Sequence, residues 1–153
     1  MDVYQKLEEL GLKLPKAPAK GGVYSPSKRF AGNLVYISGC GPIIDGKIIT
    51  GKLGDTVTVE QGKEYSRNCM LNVLAVLEAC IGDLNKVKSA VKILTFVAGT
   101  SDFDSQPIVA NGGSELLVYL YGAEVGAPTR SAIGVNALPG NIPVETEALF
   151  EVE

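Results

Sequence analysis

Apolar residues recur at two different periods along this 153-residue chain, and the switches between those periods mark its elements. Residues 2–10 are acidic and amphipathic and predict a short helix, followed by a Pro/Lys/Gly connector over residues 13–22. Asn33-Leu34-Val35-Tyr36-Ile37-Ser38 is β-prone and ends at Gly39. Ile43-Ile44 and Lys47-Ile48-Ile49 flank Asp45-Gly46, which predicts a hairpin because Gly tolerates the positive φ of a two-residue turn. Thr58-Val59-Glu60-Gln61 has the spacing of a capping box. From there Tyr65, Cys69, Val73, Val76, Leu77 and Cys80 recur at helical spacing until Gly82 ends the run. This places Cys69 and Cys80 in the core. Residues 86–97 read as a strand, and 104–121 as a second helix in spite of Pro107 and the Gly112-Gly113 pair. Two further strands, 130–136 and 142–152, are joined by a Leu138-Pro139-Gly140-Asn141 turn.

The resulting order, β-β-β-α-β-α-β-β, predicts a single α+β domain over residues 1–153, a mixed sheet with two helices on one face. Val144, Thr146, Ala148, Phe150 and Val152 share one side of the last strand. Taken as the uncovered side of the sheet, they call for a partner and so for oligomerisation.

Composition narrows the chemistry. Apolar residues make up 46% and aromatic ones only 7%, so the core is built from Val, Ile, Leu and Ala. No apolar run approaches the roughly 18 residues that span a bilayer, and the acidic start is the wrong pattern for a signal peptide. Three cysteines without metal-type spacing point to a reducing cytoplasm. With a net charge of −3 and no concentration of lysine, nucleic acid is disfavoured as the main partner. There is no histidine, which removes the usual neutral-pH base, the Ser-His pair and the commonest transition-metal ligand. Any catalysis must use carboxylates, hydroxyls, backbone groups, a thiol or water, and no metal or cofactor is implied.

Arg130 stands out among the three arginines. It follows Pro128-Thr129, where the backbone favours extended conformations, and a guanidinium on a strand end is a preformed fork for a carboxylate or phosphate. Glu145 and Glu147 lie on the next strand. An Arg–Glu ion pair inside the protein or across a subunit interface explains the same residues. Glu147 and Glu151 share a face with Glu145 and read as solvated or paired. Cys40, between Gly39 and Gly41, is either a reactive loop thiol or an ordinary small residue.

The segment Ala127-Pro128-Thr129-Arg130-Ser131-Ala132-Ile133-Gly134-Val135, with Leu138 and Val144-Glu145 after it, resembles the C-terminal signature of the RidA (YjgF) family. Gly22-Val23-Tyr24-Ser25 ahead of Leu34-Val35-Tyr36-Ile37-Ser38-Gly39 agrees with it, as does Asn111 opening the second helix. The resemblance implies a chorismate-mutase-like fold, a homotrimer with a site in each cleft between subunits, and a small carboxylate-bearing ligand. It also implies hydrolysis of reactive imines and enamines, made by pyridoxal-phosphate enzymes, to 2-oxo acids and ammonia. Arg130 would hold the substrate carboxylate and Glu145 would position the water. Tyr24, Ser38, Asn111 and the backbone carbonyl of Ala132 would line the pocket. Each lining residue has a plainer reading: Tyr24 as seam packing, Ser38 as a turn former, Asn111 as a helix cap.

The chain departs from the pattern in its N-terminal helix and connector (residues 1–20), in Ala132 where deaminating members often carry cysteine, and in Cys40 where they more often carry glutamine. These features resemble a longer subgroup labelled as endoribonucleases. A non-catalytic ligand-binding or regulatory trimer and a ribonuclease therefore stand beside the deaminase. Chorismate mutase activity is disfavoured, because a dianionic substrate wants several cations and one well-placed arginine is offered.

Overall fold

A computed structural model describes residues 2–153; Met1 lies outside them. Helix α1 (Val3–Glu9) starts at Asp2, whose carboxylate accepts from the Tyr4 N–H at 2.8 Å. It buries Val3 and Leu7, and the Tyr4 hydroxyl fastens it by donating to Glu78 at 2.7 Å and accepting from the Leu84 N–H at 3.0 Å.

Five strands form one sheet: β1 (Ser27–Phe30), β2 (Leu34–Cys40), β3 (Val87–Ala98), β4 (Thr129–Val135) and β5 (Val144–Val152), in the order β1-β2-β5-β3-β4. All pairs are antiparallel except β3 with β4. A parallel pair needs a long crossover, and helix α3 (Gln106–Gly126) supplies it. Helix α2 (Val59–Ile81) carries the expected capping box: the Gln61 N–H donates to Thr58 Oγ1 at 3.2 Å and the Thr58 N–H to Gln61 Oε1 at 2.9 Å. Gly82 closes the helix in the left-handed conformation at φ 82°. Gly112 explains the glycine pair in α3. A Cβ there would fall on the Lys63 carbonyl oxygen of α2, so the helices can touch only without one. Beside it, the buried Ser66 hydroxyl accepts from the Gly113 N–H at 3.1 Å.

Several expectations change. β1 is an additional strand. Asp45-Gly46 does form a tight turn, with φ 52° and 72° and the Lys47 N–H bonded to the Ile44 carbonyl at 3.0 Å, but its flanks are not strands. On the first flank the Asn72 amide takes the Ile43 carbonyl at 2.9 Å, together with that of Gly41 just before it at 2.9 Å. The last helix, α3, runs on to Gly126 past a break at Gly122 (φ 79°), beyond the expected end at residue 121. The largest correction concerns the sheet faces. Val144, Thr146, Ala148, Phe150 and Val152 are at most 2% exposed, because β5 is a central strand and this side lies beneath the helices. The uncovered side carries the alternate residues instead: Tyr36 of β2, Leu94 and Phe96 of β3, Ile133 of β4 and Leu149 of β5. It is still apolar in part, with Ile133 43% exposed and Tyr36 40% exposed.

Candidate functional site

Arg130 enters the sheet at the start of β4 and pairs in register with Ile93, which is buried under α3. Its side chain therefore runs toward the helices. Nη1 donates to Asn111 Oδ1 at 2.8 Å and to Ser114 Oγ at 3.2 Å, both on α3. Ala132, two residues on, shares that face and pairs with Thr95. The structure thus brings Arg130, Asn111 and Ala132 together on one side of the edge strand. Asn111 lies well inside α3 rather than opening it. Ser114 was missed, although its i+3 spacing from Asn111 puts both on one helix face.

Glu145 lies on the opposite side of the sheet. It pairs with Phe96, which pairs with Ile133, and all three project away from the helices. The carboxylate sits over β2 where the ladder slips between Ile37 and Cys40. Gly39 makes the room, since a Cβ there would overlap Glu145 Oε1. Tyr24, Ser38, Gly39, Glu145 and Glu147 line one recess of about 500 Å³, together with Pro139 and Ile142. Half-burial pushes the Glu145 carboxyl pKa up, and the neighbouring Glu147 carboxylate adds to the effect. No arginine counters that shift: the partners of Arg130 are neutral, so an Arg130–Glu145 pair does not form within the chain.

Ser38 joins two segments instead of closing its own turn, its hydroxyl donating to the Ser25 carbonyl at 2.7 Å and its N–H to the Pro26 carbonyl at 2.9 Å. Tyr24 accepts from the Gly21 N–H at 2.9 Å and stays 44% exposed at the rim. Glu147 and Glu151 are held by neutral donors, Tyr36 Oη at 3.0 Å and Asn33 Nδ2 at 3.0 Å. Cys40 is 6% exposed, with its thiol pKa pushed up to about 12 by burial and by Glu145, which makes it an inert small residue. Among the described residues no cluster of His, Cys, Asp and Glu could hold a metal, and no helix is long and apolar enough to cross a membrane.

The sequence signature and the mixed α+β fold agree with the comparisons. The model of the family described as Endoribonuclease L-PSP, the RidA/YjgF family, matches residues 14–152. The chain belongs to this family. Protein TCP17 of Trypanosoma cruzi is 40% identical over 151 residues, covering 98% of this chain and 94% of that protein. The crystal structure of protein Atu1372, of unknown function, from Agrobacterium tumefaciens superposes with a TM-score of 0.91 at 37% identity, covering 99% of this chain and 92% of that one. A 2-iminobutanoate/2-iminopropanoate deaminase of Dermatophagoides farinae is 28% identical, over 93% of this chain and 95% of its own.

Proposed function

We propose that the protein is a homotrimeric imine deaminase whose sites form between subunits. A 2-imino acid, protonated at nitrogen, adds water at its imine carbon, and the carbinolamine then loses ammonia to leave the 2-oxo acid. Arg130 holds the substrate carboxylate. Glu145 takes a proton from the attacking water and returns one to the departing nitrogen, a role favoured by its raised carboxyl pKa. Asn111 and Ser114 hold the guanidinium, the Ala132 carbonyl faces the nitrogen, and Tyr24 and Ser38 line the recess. The imine carbon is already electrophilic, so orientation and one well-placed water suffice without histidine. The three thiols suit a reducing cytoplasm.

One observation carries this reading: anchor and base lie on opposite faces of a single sheet, so one chain holds two half-sites that only a second chain can complete. The name of the Dermatophagoides relative supports the chemistry, and the half-exposed Ile133 and Tyr36 on the uncovered face supply a surface for the neighbour. Ribonuclease activity has less behind it, given the charge of −3 and the absence of histidine.

The test mixes two inactive variants, Arg130→Lys and Glu145→Gln. Lysine keeps the charge but not the bidentate fork, so Arg130→Lys alone should weaken 2-oxo acid binding about tenfold to a hundredfold, the loss of one charge-assisted bond. Co-refolded together, the two variants should regain part of the imine hydrolysis that neither shows alone, measured as ammonia release beside an imine-generating amino-acid oxidase. Light scattering should report a trimer throughout. Absence of any recovery from a well-mixed trimer, or a monomer at micromolar concentration, would sink the proposal.

A further inference from the structure

The Glu145 recess continues into a second cavity of about 390 Å³, a volume typical of ligand sites. The two share Tyr24, Ser38, Pro139, Ile142 and the glycines at 21, 39 and 41. Beyond that neck the walls are Ile43, Ile48, Ile49 and Val76, with Pro18 of the connector also in the lining. The donors of Asn72, Ser38 and Cys40 on this lining are already spent on backbone carbonyls. Asn72 gives its amide to Gly41 and Ile43, Ser38 its hydroxyl to Ser25, and the Cys40 thiol lies 3.4 Å from the Ser38 carbonyl. A polar side chain entering this space would lose its water and find few groups free to replace it. An aliphatic one would lose nothing and would gain about tenfold or more in binding per methylene.

From this lining we infer that the cavity behind Glu145 takes the side chain of the substrate, and that the protein favours 2-imino acids with a branched or long aliphatic side chain, of leucine's size or larger. The inference rests on the deaminase reading. It also gives the N-terminal connector a task, since Pro18, Ala19 and Lys20 close the cavity. Lys20 is exposed, so its charge stays at the edge while the interior remains apolar.

The assembled protein would be titrated with 2-oxopropanoate, 2-oxobutanoate, 4-methyl-2-oxopentanoate and 2-oxoglutarate, as wild type and as two variants. Ala19→Phe fills the cavity from the exposed connector, and Ile43→Asn places an amide on its wall; both positions are open enough for thermal melts to confirm folding. Affinity should rise at least about tenfold from 2-oxopropanoate to the branched acid, and each variant should remove most of that rise. If all acids bind with no gain from chain length, or 2-oxoglutarate is preferred through Lys20, the side-chain inference falls while the deaminase reading stands. A gradient that survives in both variants also overturns it. Failure of every 2-oxo acid to bind would overturn both.

Discussion

Replacing Gly39 with alanine separates the position of Glu145 from the stability of the fold. The new Cβ would overlap Glu145 Oε1 and lie 2.9 Å from Cδ and 3.2 Å from Cγ, too close for the carboxylate to stay. Gly39 is not among the glycines with positive φ, so alanine strains no backbone there. What it meets is the end of a flexible side chain, and an off-rotamer shift costs about 0.5–1.5 kcal/mol. The smaller conformational freedom of the unfolded chain returns about 0.4–1 kcal/mol. The net loss is therefore under roughly 1 kcal/mol, a Tm change of no more than about 2–4 °C for a domain of this size. Catalysis should suffer far more, because a displacement on the order of 1 Å in a working group costs about a hundredfold. Imine hydrolysis and thermal melts on the same preparation would show the split. Adding Gly39→Ala to a Glu145→Ala background should cost no stability, since the colliding atoms are gone. A Gly39→Ala protein that keeps a normal rate would refute the assigned role of Glu145. A large drop in Tm would show that the carboxylate cannot yield.

The glycine pair in α3 makes a sharper contrast. Gly112→Ala would drive its Cβ into backbone atoms of Lys63 and should lose about 1–3 kcal/mol, whereas Gly113→Ala meets nothing closer than 3.4 Å and should gain up to about 1 kcal/mol of helix propensity; thermal melts of both decide it. Glu145 sets a pH dependence whose sign follows from its raised pKa. The folded state holds that proton more tightly than the unfolded one, so this contribution to stability is full below the unfolded carboxylate value and is lost as pH rises through the folded one. Glu145→Gln should therefore match wild type in acid, melt higher at neutral pH and show a flatter Tm–pH curve between.

Local chemistry was the readable part of this fold. The Thr58 capping box, the Gly82 stop and the helical spacing of Cys69, Val73 and Leu77 each depend on neighbours within a few residues, and each appears in the structure. The Asp45-Gly46 turn was equally legible, but not that its flanks stay unpaired or that Asn72, some way along the chain, takes the Ile43 carbonyl. Period-two alternation in β5 separated its two faces without saying which one the helices would cover. That choice follows from the central place of β5, a property of strand order. The same gap hid the relation between the two principal candidate residues. Arg130 and Glu145 could both be named from the sequence, yet only their register partners, Ile93 and Phe96, put them on opposite sides.

The neutral partners of Arg130 have an electrostatic consequence. A guanidinium has five N–H donors in a fixed fork. Asn111 and Ser114 occupy the two on Nη1, the end turned into the protein, and neither cancels the charge. The edge formed by Nε and Nη2 has no protein acceptor among the described residues, and it presents two parallel donors at the spacing of carboxylate oxygens. Had an acid fixed this side chain, an arriving anion would first have had to displace a counter-charge. Here the orientation is set by dipoles, and neither Asn111 nor Ser114 offsets the positive charge.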